Sequence, residues 1–261
     1  MKYSKLFIYT VFLFTFWSCE KSSNSPLSPT STTGTAGSYA QFMIVGDFLY
    51  TINDTEIKTL SLEDASAPVL IHTQEIGERI ESIFNLDNRL FIGSGSGLYI
   101  YTIQDDGIPA YTSHFSYDVF PIYPCDPVVA NDSFAFVTLN TVLSGSSCRG
   151  NIDIQVNELV IFDITDISNP QIISEYSLSG PKGVGLDGNT LFVCDNEEGL
   201  KIFDVTNKLD IKLIAHKDGF KAYDVIPLGG LLLVVGPENL YQFDYSDLND
   251  IREVSRISIK P

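Results

Sequence analysis

Five segments of the chain repeat one short pattern at a nearly fixed spacing, and no other feature limits the fold as much. They are EIKTLSL (56–62), GLYIYTI (97–103), ELVIFDI (158–164), GLKIFDV (199–205) and NLYQFDY (239–245). With Ile57, Leu98, Leu159, Leu200 and Leu240 as register marks, successive copies lie 41, 61, 41 and 40 residues apart. Pro68, Pro109 and Pro170 each follow their mark by 11 residues, a second agreement. The one long interval carries an insertion of about 20 residues.

Each period reads as four short strands. In the cleanest copy they fall near Lys182–Leu186, Thr190–Cys194, Leu200–Val205 and Ile211–His216. Turns at Asp187-Gly188-Asn189, Asn196 to Gly199 and Asn207-Lys208 supply residues that tolerate positive φ. A period near 41 with four strands per unit is the mark of a propeller blade. One blade cannot bury both of its faces, so blades stack in a ring. The expectation is an all-β chain, a β-propeller of about five four-stranded blades, one of them enlarged by the insertion. The blades fall at about 39–79, 80–120, 121–180, 181–220 and 221–261. A horseshoe solenoid would need shorter, Leu-rich units. No N-terminal strand is left over to complete the last blade, so the mode of ring closure is open.

The segments LVIFD (159–163), LKIFD (200–204) and LYQFD (240–244) occur with DISNP (166–170) and the upstream strands LFV and LLLVV. Together they resemble the LVIVD repeat of exported bacterial and archaeal proteins. PCDPVVANDSFAFVTL (124–139), with a further cysteine at 148, is similar to one blade of Bacteroidetes-type lipoproteins in that family. The first two copies depart from the pattern, with Ser61 and Thr102 where Asp is expected. The resemblance implies a propeller and a cell-envelope location. It implies no reaction and no catalytic residue.

The N-terminus carries an export signal. Lys2 and Lys5 precede the apolar run Leu6 to Trp17, which is too short to span a bilayer. Ser18 and Cys19 follow and look like a lipobox, in which the chain is cut before the cysteine and the thiol is lipidated. Residues 1–18 are therefore read as a lipoprotein signal peptide. Residues 19–38, rich in Ser, Thr, Pro and Gly, are read as a disordered tether, and 39–261 as the propeller. The expected location is the envelope, as an outer-membrane lipoprotein held to the membrane by its lipid.

A net charge of −17 with only 16 scattered Lys and Arg excludes a phosphate-tracking surface, so nucleic acid is not an expected partner. Cys125 and Cys148 bracket the insertion. In an oxidising compartment a disulfide there would close a loop of about 23 residues and stabilise by roughly 3 kcal/mol. Cys194 reads as a buried thiol. GSGSG at 93–97 leads into a strand and reads as a hairpin turn, not a phosphate loop. Asp163, Asp204 and Asp244 end the third strands, where they are expected to accept hydrogen bonds from turn amides; no metal or cofactor is expected. His72, His114 and His216 lie on different blades without a paired nucleophile.

In register, the entrances of the innermost strands hold Gln41, Glu81, Ser82, Asp126, Lys182 and Asp224, a candidate channel-mouth binding site. The leading expectation is a non-catalytic binding or scaffolding module for an envelope protein or a glycan, with the 140–156 insertion on its contact surface. The competing one is a glycan-active hydrolase with Glu81, Asp126 and Asp224 in the funnel, carboxyl groups roughly 5–10 Å apart.

Overall fold

Runs of β-branched and aromatic residues, broken every five to seven positions by Gly, Asn or Asp, set the strands. The structure is a computed structural model that describes residues 37–117, 127–141 and 156–260. It contains twenty strands and no helix among those residues. Blade 1 holds β1 (Phe42–Val45), β2 (Phe48–Ile52), β3 (Glu56–Ser61) and β4 (Val69–Glu75). Blade 2 holds β5 (Ile80–Leu86), β6 (Arg89–Ser94), β7 (Gly97–Ile103) and β8 (Pro109–Ser116). Blade 3 holds β9 (Val128–Ala130), β10 (Phe134–Asn140), β11 (Asn157–Asp163) and β12 (Gln171–Ser177). Blade 4 holds β13 (Val184–Asp187), β14 (Thr190–Cys194), β15 (Leu200–Asp204) and β16 (Lys212–Lys217). Blade 5 holds β17 (Asp224–Pro227), β18 (Leu231–Val235), β19 (Asn239–Asp244) and β20 (Arg252–Ser258).

Each blade is a simple antiparallel meander, and the chain is a five-bladed β-propeller, the fold class that the repeats imply. The repeated segments are the third strands. In every blade the register shifts once between the third and fourth strands, a bulge at the same place. That bulge bends the outer strand and strengthens the blade's twist. The first strands β1, β5, β9, β13 and β17 line the inside in that order. The extra length of the third period falls between β10 and β11, where residues 142–155 lie outside the described residues.

The core is divided among the junctions between blades. Separate clusters of buried apolar residues join blades 1 and 2, 2 and 3, 3 and 4, and 4 and 5. At the centre of the four junctions stand Tyr50, Phe91, Phe136 and Phe192, each fully buried. Burying such a side chain contributes about 1.5–3 kcal/mol. Hydrogen bonds reinforce the contacts. Tyr50 donates to the Gly107 carbonyl at 2.8 Å, Ser174 to the Lys208 carbonyl at 2.7 Å, and Tyr245 to the Asp187 carboxylate at 2.6 Å.

The local readings of turns hold. Asp163, Asp204 and Asp244 each accept bonds from the backbone amide and the hydroxyl two residues on, at Thr165, Thr206 and Ser246. Ser94 pairs with Gly97 across a hairpin, so GSGSG is a turn. Cys194 is a buried free thiol.

Candidate functional site

Two clusters at the inner ends of the blades contain the described channel-mouth residues. The first lies at blades 1 and 2. Gln41 is exposed and its carbonyl accepts from Ile52 N at 2.9 Å. Ser82 is fully buried beside the bulge that interrupts β5. Glu81 stands next to it, partly buried, and its carboxyl is pushed up to about 7. Burial is the main cause, the Asp54 carboxylate adds to it, and Arg79 opposes it.

The second cluster lies at blades 4 and 5. The Lys182 ammonium sits 3.8 Å from the centroid of the Tyr223 ring, a cation–π contact. Burial holds its pKa below the usual lysine value. The Asp224 carboxylate is enclosed by two glycines. A Cβ on Gly37 would fall 2.0 Å from one of its oxygens, and a Cβ on Gly183 would fall 2.2 Å from the other. Asp224 accepts from the Ser38 hydroxyl at 3.1 Å and from Val225 N at 2.9 Å, and the amides of Ser38 and Tyr39 add to this. Burial pushes its pKa above the ordinary carboxylate range, and these donors restrain the rise.

Ser38 is therefore not part of a free tether, as the sequence suggested. It is buried, and its oxygen also accepts from Val184 N at 2.8 Å in blade 4. Two residues on, the Ala40 carbonyl accepts from Ile83 N at 2.9 Å in blade 2. Three consecutive residues thus join the inner strands of blades 4 and 5 to that of blade 2. Asp126, Cys125, Cys148 and Cys19 lie outside the described residues.

Two features were not singled out from the sequence. Asp195, fully buried, is bound by the Lys201 ammonium and by the amides of Ser179 and Gly180. It fixes the loop that leads from blade 3 into blade 4, and a lone Asp in CDN gives no hint of that. The second is a groove of about 580 Å³ between blades 4 and 5, lined by Thr190, Asp204, Ala215, Lys217, Leu248 and Ile251 among others. At the matching place in blades 2 and 3, Ser113 and Ser174 donate to carbonyls of the next blade's loop, Ile167 and Lys208. Blade 4 has Ala215 there, which offers no hydroxyl to the loop of blade 5, and the repeat alignment would have shown the difference. Among the described residues no three His, Cys, Asp or Glu side chains come together as a metal site.

No family model matches the chain, and none of the curated proteins matches it. Many solved structures do. One is a protein of unknown function from Desulfotomaculum acetoxidans, with a TM-score of 0.63 at 12% identity, covering 87% of this chain and 69% of that one. Another is the periplasmic gluconolactonase of Pseudomonas aeruginosa, with a TM-score of 0.62 at 14% identity, covering 82% and 68%. A third is AztD of Citrobacter koseri, with a TM-score of 0.55 at 13% identity, covering 85% and 60%. What the chain shares with them is the β-propeller fold.

Proposed function

We propose that the chain is a binding or scaffolding propeller of the bacterial cell envelope, of the LVIVD type, exported and anchored through lipid on Cys19. The observation that carries the non-catalytic part is the state of Asp224. A funnel acid that works on a substrate needs an oxygen free to meet it. Asp224 instead receives donors from Ser38, Tyr39 and Val225 of its own chain. The apolar signal run ahead of Ser18-Cys19 supports export, and one neighbour of similar fold is a periplasmic protein. The partner is an envelope protein or a glycan, met at the channel mouth around Gln41, Glu81 and Lys182. Cys125 and Cys148 staple the insertion as a disulfide.

Glu81 favours a second reading, a glycan-active hydrolase. A carboxyl with a pKa near 7 is suited to general acid catalysis at neutral pH. The two readings separate in a glycan and envelope-protein binding screen of the purified protein, scored for both retention and turnover. A bound glycan released unchanged by wild type and by Glu81→Gln supports the binding module. Turnover that is lost in Glu81→Gln establishes the hydrolase. Mass spectrometry of the mature N-terminus tests the anchor, which requires a diacyl or triacyl adduct on Cys19.

A further inference from the structure

The five blades give five junctions to compare position by position, and one differs from the rest. Strand pairing puts Phe42, Ile83, Val128, Val184 and Val225 at one equivalent place, on the face turned to the preceding blade. The last four are at most 1% exposed, whereas Phe42 is 60% exposed. On the face turned to the following blade, the register residues Ile57, Leu98, Leu159 and Leu200 are each 0% exposed, but Leu240 is only partly buried. Both faces of the junction between blades 5 and 1 are thus incompletely covered. No cluster of buried apolar residues spans it among the described residues.

The composition of the two faces explains why. Where blades 1 to 4 carry Tyr50, Phe91, Phe136 and Phe192, blade 5 carries the smaller Leu233. Opposite it stands Gln242, where blades 2 to 4 have Ile100, Ile161 and Ile202. Gln242 accepts from Ser255 of its own blade at 2.9 Å. On the blade 1 side, Thr51 replaces the Ile or Val of the other blades, and Leu60 replaces an aromatic residue. Less apolar area and more polar groups make this the weakest junction.

Among the described residues, polar contacts gather at one point of it. The hydrogen bonds between blade 5 and the segment ahead of β1 converge on Asp224, from the Ser38 hydroxyl and the amides of Ser38 and Tyr39. We infer that the junction of blades 5 and 1 is a releasable joint, held by a Ser38–Asp224 clasp in place of a core. When the clasp opens, the ring parts there while the four dry junctions persist.

Hydrogen–deuterium exchange on the full chain tests this. Ser38→Ala removes the hydroxyl that joins Asp224 to Val184 N. It should speed exchange several-fold in β1, β2 and β17 to β19 and at Val184 N, which loses its acceptor, and leave the other amides of blades 2 to 4 as in wild type. Gln242→Ile, which gives blade 5 the residue used by blades 2 to 4, should slow the amides of β1, β2 and β17 to β19. Exchange that rises equally in all five blades, or does not change in blades 1 and 5, overturns the inference. If Ser38→Ala does not fold, Gln242→Ile decides alone, and unchanged exchange in blades 1 and 5 sinks the proposal.

Discussion

The junction of blades 3 and 4 and that of blades 5 and 1 are built on the same strand register, yet they hold together by different means. At the first, Phe136, Leu159 and Ile161 meet Val184, Leu191 and Val193, all fully buried. Thr138 and Asn140 then donate to the carbonyls of Lys182 and Pro181. At the second, the same positions on blade 5 are Leu233, Leu240 and Gln242, none of them fully buried, and the polar contacts gather on one carboxylate. A repeat thus specifies where two blades would meet, whereas the individual residues decide how dry and how firm the meeting is.

The largest expected effect lies on the dry side. Phe136→Ala should cost about 3–5 kcal/mol in denaturant unfolding, because it opens a cavity in a closed core. Leu233→Ala, at the matching place in blade 5, should cost only about 1–2 kcal/mol, since its side chain is only partly buried. Equal losses would erase the distinction between the junctions. Of similar size, Asp195→Ala should cost about 3–5 kcal/mol, because the Lys201 ammonium would lose its carboxylate in a largely buried setting. A loss below about 1 kcal/mol would mean that the loop entering blade 4 is held by packing alone.

A smaller effect depends on pH. Glu81 titrates near 7 in the folded protein against an ordinary value of 4.5, so its charged form is the one the fold disfavours. Its contribution to stability is complete below about pH 4.5 and is lost as pH rises through about 7. Urea midpoints measured across that window should fall in wild type and fall less in Glu81→Gln. Parallel curves would show that Glu81 is better solvated than its burial at blades 1 and 2 indicates. The smallest effect is a gain. Leu233→Phe, which restores the aromatic residue of the other blades, should add about 0.5–2 kcal/mol if the open junction has room for it. A loss would show that the space is already filled.

The sequence makes some of this legible and hides the rest for a physical reason. The third strands and their Asp-capped turns are local, so Leu159 to Asp163 and Leu200 to Asp204 announce themselves by spacing. The four-stranded blade and the five-fold count follow from them. Ser38 could not be read this way. It sits at the end of a Ser/Thr/Pro-rich run, and the acid that buries it is 186 residues away. Register alone places Glu81 and Asp224 on the first strands of their blades, and Lys182 just ahead of one. Register could not tell that Asp224 is taken up by the chain itself, or that Lys182 rests on Tyr223. Asp195 was missed because its value comes from Lys201 and two loop amides, none of which forms a motif with it.

The position of Ser38 also sets a path for mechanical load. Ser38 precedes the first strand, which begins at Phe42. Tension applied at Gly37 from the N-terminal side would reach the bonds to Asp224 and Val184 N before it reached any sheet. Those few bonds would yield first, as a fuse does, and the blades would come under strain only after Ser38 had been pulled free of Asp224 and Val184.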